Sequence, residues 1–104
     1  MAVRVNGDTF DAEVLKSDGI VLADFYSDSC VPCKRLSPVL AEIEEELGDK
    51  IKLVKININF DAELAEKNEV QSVPTIVFFK SGEEKARLTG AVKKSGILSE
   101  IEKL

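Results

Sequence analysis

In the stretch Asp24-Phe25-Tyr26-Ser27-Asp28-Ser29-Cys30-Val31-Pro32-Cys33-Lys34-Arg35-Leu36-Ser37-Pro38 one hydrophobic pattern gives way to another. Upstream, Ile20-Val21-Leu22-Ala23 runs into Phe25 and Tyr26 without polar alternation, with Asp24 the single charge. A central strand of a parallel sheet, covered on both sides, has that pattern. Downstream, Leu36, Val39, Leu40, Ile43 and Leu47 recur at helical spacing. The stretch is therefore the end of a buried strand, a short turn and the start of an amphipathic helix. Pro32 suits the first helical turn, where no N–H partner is needed. Pro38 falls inside the helix and should remove one backbone bond and bend the axis. Cys30 and Cys33, the chain's only cysteines, lie at this junction. A pair at that spacing can close a small disulfide ring. Unpaired N–H groups at a helix start favour negative charge, and thiolate is the attacking species in disulfide exchange.

Outward from this junction the chain alternates. Val3 and Val5 suggest a short first strand, and Asp8 or Thr9 is placed to cap a helix bearing Phe10, Val14 and Leu15. Ser17-Asp18-Gly19 ends that helix. Gly48 stops the helix after the cysteines. Glu42, Glu44, Glu45 and Glu46 lie mostly off its apolar stripe and read as a solvated face. Ile51 to Ile58 is a second largely apolar strand, Asp61 caps a short helix ending near Asn68, and Val73 to Lys80 is a strand that opens on Pro74. Ser81-Gly82-Glu83-Glu84 turns a hairpin back through Ala86, Leu88 and Thr89, and Gly90 breaks it. Ser95 is a candidate cap for a last helix with Ile97, Leu98, Ile101 and Leu104 on one face. The order β-α-β-α-β-α-β-β-α implies an α/β fold: a central mixed β-sheet flanked by helices on both faces. In such a pattern a C-x-x-C between strand and helix is a redox signature.

With 104 residues, the chain reads as a single domain over 1–104 with room for one core. A formal net charge of -5 disfavours nucleic acid as a partner. No apolar run approaches the roughly 20 residues that span a bilayer, so no membrane association is expected. Met1-Ala2-Val3-Arg4-Val5-Asn6-Gly7 lacks the basic and apolar regions of a signal peptide. Cysteines confined to one motif, without an export signal, point to a reducing, cytoplasmic setting and to catalytic thiols. Zinc would want about four N or S ligands, and the chain has 2 cysteines and no histidine. Haem attachment would need histidine where Lys34 stands. A static disulfide across so short a loop would stabilise little.

Taken together, Asp24-Phe25-Tyr26, Cys30-x-Pro32-Cys33-Lys34, Pro38, Lys55, Val73-Pro74-Thr75, Phe79-Lys80-x-Gly82 and Gly90 resemble the thioredoxin family over nearly the full length of the chain. The resemblance implies the thioredoxin fold and a protein-disulfide reductase that acts through reversible Cys30–Cys33 exchange, with no cofactor beyond that redox-active disulfide. It implies disulfide-containing proteins as substrates, recharging by a thioredoxin reductase, and a monomeric electron carrier. Two departures stand out. The family usually carries Trp-Cys-Gly-Pro-Cys, whereas this chain has Ser29-Cys30-Val31-Pro32-Cys33 and no tryptophan. The reductase could accordingly be NADPH-dependent or an atypical flavin- or ferredoxin-linked one. A non-catalytic binding module of the same fold, and a disulfide oxidase or isomerase, are the rival readings.

Site roles follow. Cys30, nearer the exposed turn, is the attacking thiol, as the family places it, and Cys33 the resolving one. Asp24, buried in a strand, should have a raised pKa. On the residues alone it reads equally well as a hydrogen-bonded carboxylate, and Lys55 as surface charge. The resemblance makes Asp24 the proton acceptor for Cys33 and Lys55 its partner. It also implies a cis bond at Pro74, with Val73 and Pro74 binding an extended substrate in the manner of an added strand, and Gly90 and Ala91 as a turn that a partner backbone approaches. Tyr26, Val31 and Pro32 read either as an apolar collar around Cys30 or as packing.

Overall fold

The computed structural model describes residues 2–104; Met1, with which the signal-peptide reading and the 1–104 span begin, lies outside the described residues. The elements are β1 (Val3–Arg4), a π-helical turn (Asp11–Leu15), β2 (Ile20–Tyr26), α1 (Val31–Leu47), a 3-10 turn (Gly48–Lys50), β3 (Ile51–Asn57), α2 (Ala62–Lys67), β4 (Thr75–Lys80), β5 (Glu83–Thr89) and α3 (Lys94–Glu102). The five strands form one sheet in the order β1-β3-β2-β4-β5. β1 and β2 run parallel to β3, while β4 is antiparallel to both β2 and β5. The sheet is therefore mixed, as the alternation followed by a hairpin requires.

Successive residues of a strand point to opposite faces, and each face carries its own core. Val21, Ala23 and Phe25 of β2 join Val54, Ile56, Val77 and Phe79 under Phe10, Val14 and the Leu64–Ala65 side of α2. Leu22 joins Leu53, Ile76 and Phe78 under Leu36, Leu40 and Ile43 of α1 and Ile97 of α3. Burial on both faces explains the unbroken apolar run of β2. It also places Asp24, by parity with Leu22, on the face covered by α1. Lys94 of α3 binds both Glu42 and Glu46 of α1, so the acidic face of that helix carries an interhelical clasp.

Three local readings need correction. The first helix is a single π-turn, and Asn6 holds the chain ahead of it: Asn6 Oδ1 accepts the N–H groups of Asp8 (2.9 Å) and Thr9 (3.1 Å). An Asx turn from Asn6 precedes any cap from Asp8 or Thr9. Asp61 does occupy the N-cap position of α2, but its side chain makes no cap bond and instead accepts the N–H of Gly7 at 3.2 Å. At α3 the cap position is Lys93, so Ser95 lies inside the first turn.

The hairpin turn is also tighter than the sequence suggests. Lys80 pairs with Glu83, leaving Ser81 (φ 52) and Gly82 (φ 82) to make it alone. Positive φ at both positions is the primed turn that matches strand twist. The turn docks on the chain just ahead of β2 through Ser81 Oγ, which donates to the Asp18 carbonyl at 2.9 Å. A Cβ at Gly82 would lie 2.3 Å from the Leu15 carbonyl oxygen. Gly82→Ala therefore combines a left-handed backbone with a collision against main chain. It should cost at least about 2 kcal/mol, read as a lower urea midpoint; an unchanged midpoint would refute the close approach.

Candidate active site

Cys30 and Cys33 are joined as a disulfide, with 5.2 Å between their Cα atoms. Cys30 occupies the N-cap of α1, with extended backbone (φ -90, ψ 109), and its Sγ accepts the Cys33 N–H at 3.1 Å. A sulfur thus takes the place usually held by a Ser, Asp or Asn oxygen at a helix start. The contact is weak for a neutral sulfur and strong for a thiolate, because hydrogen bonds to ionised acceptors are about twice as strong as neutral ones. Cys33 is 6% exposed, whereas Cys30 is half-buried and reachable. Val31 (56% exposed) and Pro32 stand out from the helix start beside Cys30.

Beneath the disulfide, Asp24, Tyr26, Cys33, Lys34, Ser37 and Lys55 line a cleft of about 170 Å³ together with Ser27 and Asp28. Larger hollows, of about 420 and 510 Å³, lie away from the sulfur atoms, beside α2 and at the hairpin. Asp24 is 2% exposed, and its Oδ1 has no hydrogen-bond partner among the described residues. Burial pushes its pKa from 3.8 up to about 6, with the Lys55 charge opposing the rise. The two residues pair in register on adjacent strands. The Lys55 ammonium nonetheless donates to Ser37 Oγ at 3.2 Å and lies over the Tyr26 ring, 5.2 Å from its centroid. Tyr26 accordingly lies in the cleft, and its hydroxyl accepts from Arg4 at 3.3 Å.

The Val73–Pro74 bond is cis. Pro74 lies one residue past the Phe25–Thr75 pair, alongside the end of β2 from which the cysteine turn departs. The Pro74 carbonyl accepts the Gly90 N–H at 2.9 Å and Thr75 Oγ1 donates to the Ser72 carbonyl at 2.7 Å, while Val73 makes no hydrogen bond among the described residues. Gly90 has φ 89, and a Cβ there would meet nothing within 4 Å. Backbone conformation rather than space is what calls for glycine. Ala91 beside it is exposed.

Sequence reading missed the polar bracket that holds the turn before Cys30. Asn59 Oδ1 accepts the Ser27 hydroxyl (3.0 Å) and the Asp28 N–H (3.1 Å). Asn57 Nδ2 donates to Asp28 Oδ1 at 3.1 Å, and Asn57 Oδ1 accepts the Asn59 N–H at 2.9 Å. Ser27 in turn places its carbonyl 3.3 Å from the Cys30 N–H. The one available signal was a pair of short amides at the end of a buried strand, which reads as ordinary turn chemistry.

Comparison with known proteins agrees with this geometry. The family model described as Thioredoxin matches residues 1–103. A thioredoxin of Rickettsia bellii is 40% identical over 101 residues, covering 97% of this chain and 96% of its own. A thioredoxin of Rickettsia felis is 41% identical over 103 residues, covering 99% and 98%. One from Bacillus subtilis is 46% identical over 81 residues, covering 78% and 76%. With the fold, the buried carboxylate and the Cys30–Cys33 disulfide in place, the chain belongs to the thioredoxin family of thiol–disulfide oxidoreductases.

Proposed function

We propose that Cys30 is the attacking and Cys33 the resolving thiol of a protein-disulfide reductase. The observation that carries this assignment is the disulfide at the N-cap of α1, its first sulfur half-buried and held by the Cys33 N–H, its second enclosed. In the reduced protein the Cys30 thiolate attacks one sulfur of a partner disulfide. A Cys30–partner bond forms, and the partner's other sulfur leaves with the electron pair and takes a proton. Cys33 then gives its proton to Asp24 across the cleft they share and attacks the Cys30 sulfur. The partner's remaining sulfur leaves as thiolate, and the chain is left as the Cys30–Cys33 disulfide, two electrons poorer.

A base with a pKa of about 6 is largely ionised near neutrality yet still a competent acceptor, the condition general base catalysis favours. Lys55 is the nearby cation that keeps that value from rising further. Val73, with unengaged backbone groups beside cis-Pro74, would receive an extended partner strand. The exposed Val31 and Pro32, the Gly90–Ala91 turn and the edge of Tyr26 would flank it. The redox-active disulfide is the only redox group this chemistry needs. We place the chain in the cytoplasm as a monomer, apart from membranes and nucleic acid.

A thioredoxin reductase is the electron source. Ser29, where the family usually has tryptophan, leaves two kinds open. Supplying the oxidised chain with a standard NADPH-dependent thioredoxin reductase should produce NADPH consumption coupled to insulin disulfide reduction. If it does not, while dithiothreitol supports the same reduction, the reading passes to the atypical flavin- or ferredoxin-linked kind of reductase. Failure with both reductants would overturn the proposed function.

A further inference from the structure

Lys55 and Asp24 are neighbours on one face of the sheet, but the ammonium is engaged elsewhere. Ser37 lies one helical turn beyond Cys33 on α1, and its Oγ takes the Lys55 Nζ donor at 3.2 Å. The Tyr26 ring supports the same position of the ammonium from the sheet side. We propose that Ser37 is a positioning residue for the resolving step: its hydroxyl draws Lys55 onto helix α1 and leaves Asp24 Oδ1 unpartnered in the cleft it shares with Cys33. The proposal rests on reading Asp24 as the proton acceptor of Cys33.

The chemistry of the alternative pairing supports it. A lysine in register on the adjacent strand can reach the carboxylate. A direct Lys55–Asp24 pair would occupy acceptor sites that the Cys33 proton needs. It would also favour the ionised carboxylate and so weaken it as a base. Ser37 offers the ammonium an acceptor that costs Asp24 nothing. The other groups facing Asp24 are Tyr26 from β2, Cys33 and Lys34 from α1 and Asp28 from the preceding turn. On the β4 side its partner is Ile76, which carries no charge.

Carboxyl 13C NMR titration of the oxidised protein tests the geometry without reference to turnover. With Ser37→Ala, Lys55 should turn to Asp24, and the Asp24 midpoint should fall by about one pH unit, the low end of what a close opposite charge does. Ser37→Thr, which keeps the hydroxyl, should restore the wild-type midpoint. In a Lys55→Met background, Ser37→Ala should move nothing, because the ammonium it would release is gone. An unchanged midpoint in Ser37→Ala, or an equal fall in the Lys55→Met background, would overturn the role of Ser37 while leaving that of Asp24 intact. The pH profile of mixed-disulfide resolution separates the two ideas. Its acid limb should follow the midpoint downwards, with a plateau a few-fold lower. A midpoint that falls while the profile stays put would refute Asp24 as the acceptor and uphold Ser37 as the residue that holds Lys55.

Discussion

Replacing Cys33 by serine is expected to turn a turnover enzyme into a trap. The outer sulfur, half-buried at the N-cap, remains free to attack a partner disulfide, but nothing then breaks the bond it forms. The lost step is intramolecular, with the two cysteine Cα atoms held 5.2 Å apart. Well-oriented intramolecular reactions have effective molarities of about 10⁵ M and above. Millimolar external thiol is a poor substitute, so steady-state insulin reduction should fall by on the order of a thousandfold or more. Non-reducing mass spectrometry should show one partner chain covalently attached to Cys33→Ser. Cys30→Ser should show neither adduct nor turnover, since the remaining sulfur is 6% exposed. An adduct on Cys30→Ser, or sustained turnover by Cys33→Ser, would reverse or abolish the assigned roles.

The second large effect concerns Asp24, where stability and activity should move in opposite directions. Its folded pKa is raised from 3.8 to about 6, chiefly by burial and in spite of Lys55. Well below pH 3.8 the group is protonated in both folded and unfolded chains and makes no difference. As pH rises through the interval up to about 6, the unfolded chain loses the proton first, so the folded state loses stability. Above it the penalty is complete and constant. Each pH unit in that interval is worth about 1.4 kcal/mol, making the full penalty about 3 kcal/mol. Asp24→Asn removes the charge but buries an amide without partners, at about 1 kcal/mol. The variant should be more stable than wild type by about 2 kcal/mol at pH 8, and the difference should vanish or reverse at pH 4. Urea unfolding of the oxidised proteins at the two pH values checks this. A constant difference would mean that Asp24 does not titrate in the interval. The same variant should slow resolution of the mixed disulfide by about a hundredfold, the low end of what a positioned general base contributes.

How far the site could be read from sequence depended on distance along the chain. The apolar run from Ile20 to Tyr26, the helical stripe from Leu36 to Leu47 and the cysteines between them are local signals, and the structure has each of these elements where the pattern puts it. Which face Asp24 takes was not read from the run, because both faces of β2 are apolar, and it follows only once α1 is seen to cover the Leu22 side. The cis bond at Pro74 was expected only through family resemblance, because X–Pro in isolation is cis in about one case in twenty. The misses have a common cause. Asn6 ahead of the π-turn, Asp61 reaching back to Gly7, Lys94 clasping Glu42 and Glu46, and Ser37 holding Lys55 are short or flexible polar side chains. Their partners are chosen by how the chain packs. Any of them could have bonded to its own backbone or to water with equal chemical sense, and composition carries no preference among those outcomes.

The amides of Asn57 and Asn59 tie the turn before Cys30 to the end of β3 and the loop that follows it. Anyone wishing to transplant the Ser-Cys-Val-Pro-Cys turn into another scaffold, or to install a tryptophan-bearing turn here, would be moving half of a two-part fitting. The graft should be made as a set, with positions 57 and 59 exchanged alongside 27 to 29, because a turn inserted alone would arrive without the brace that sets its angle.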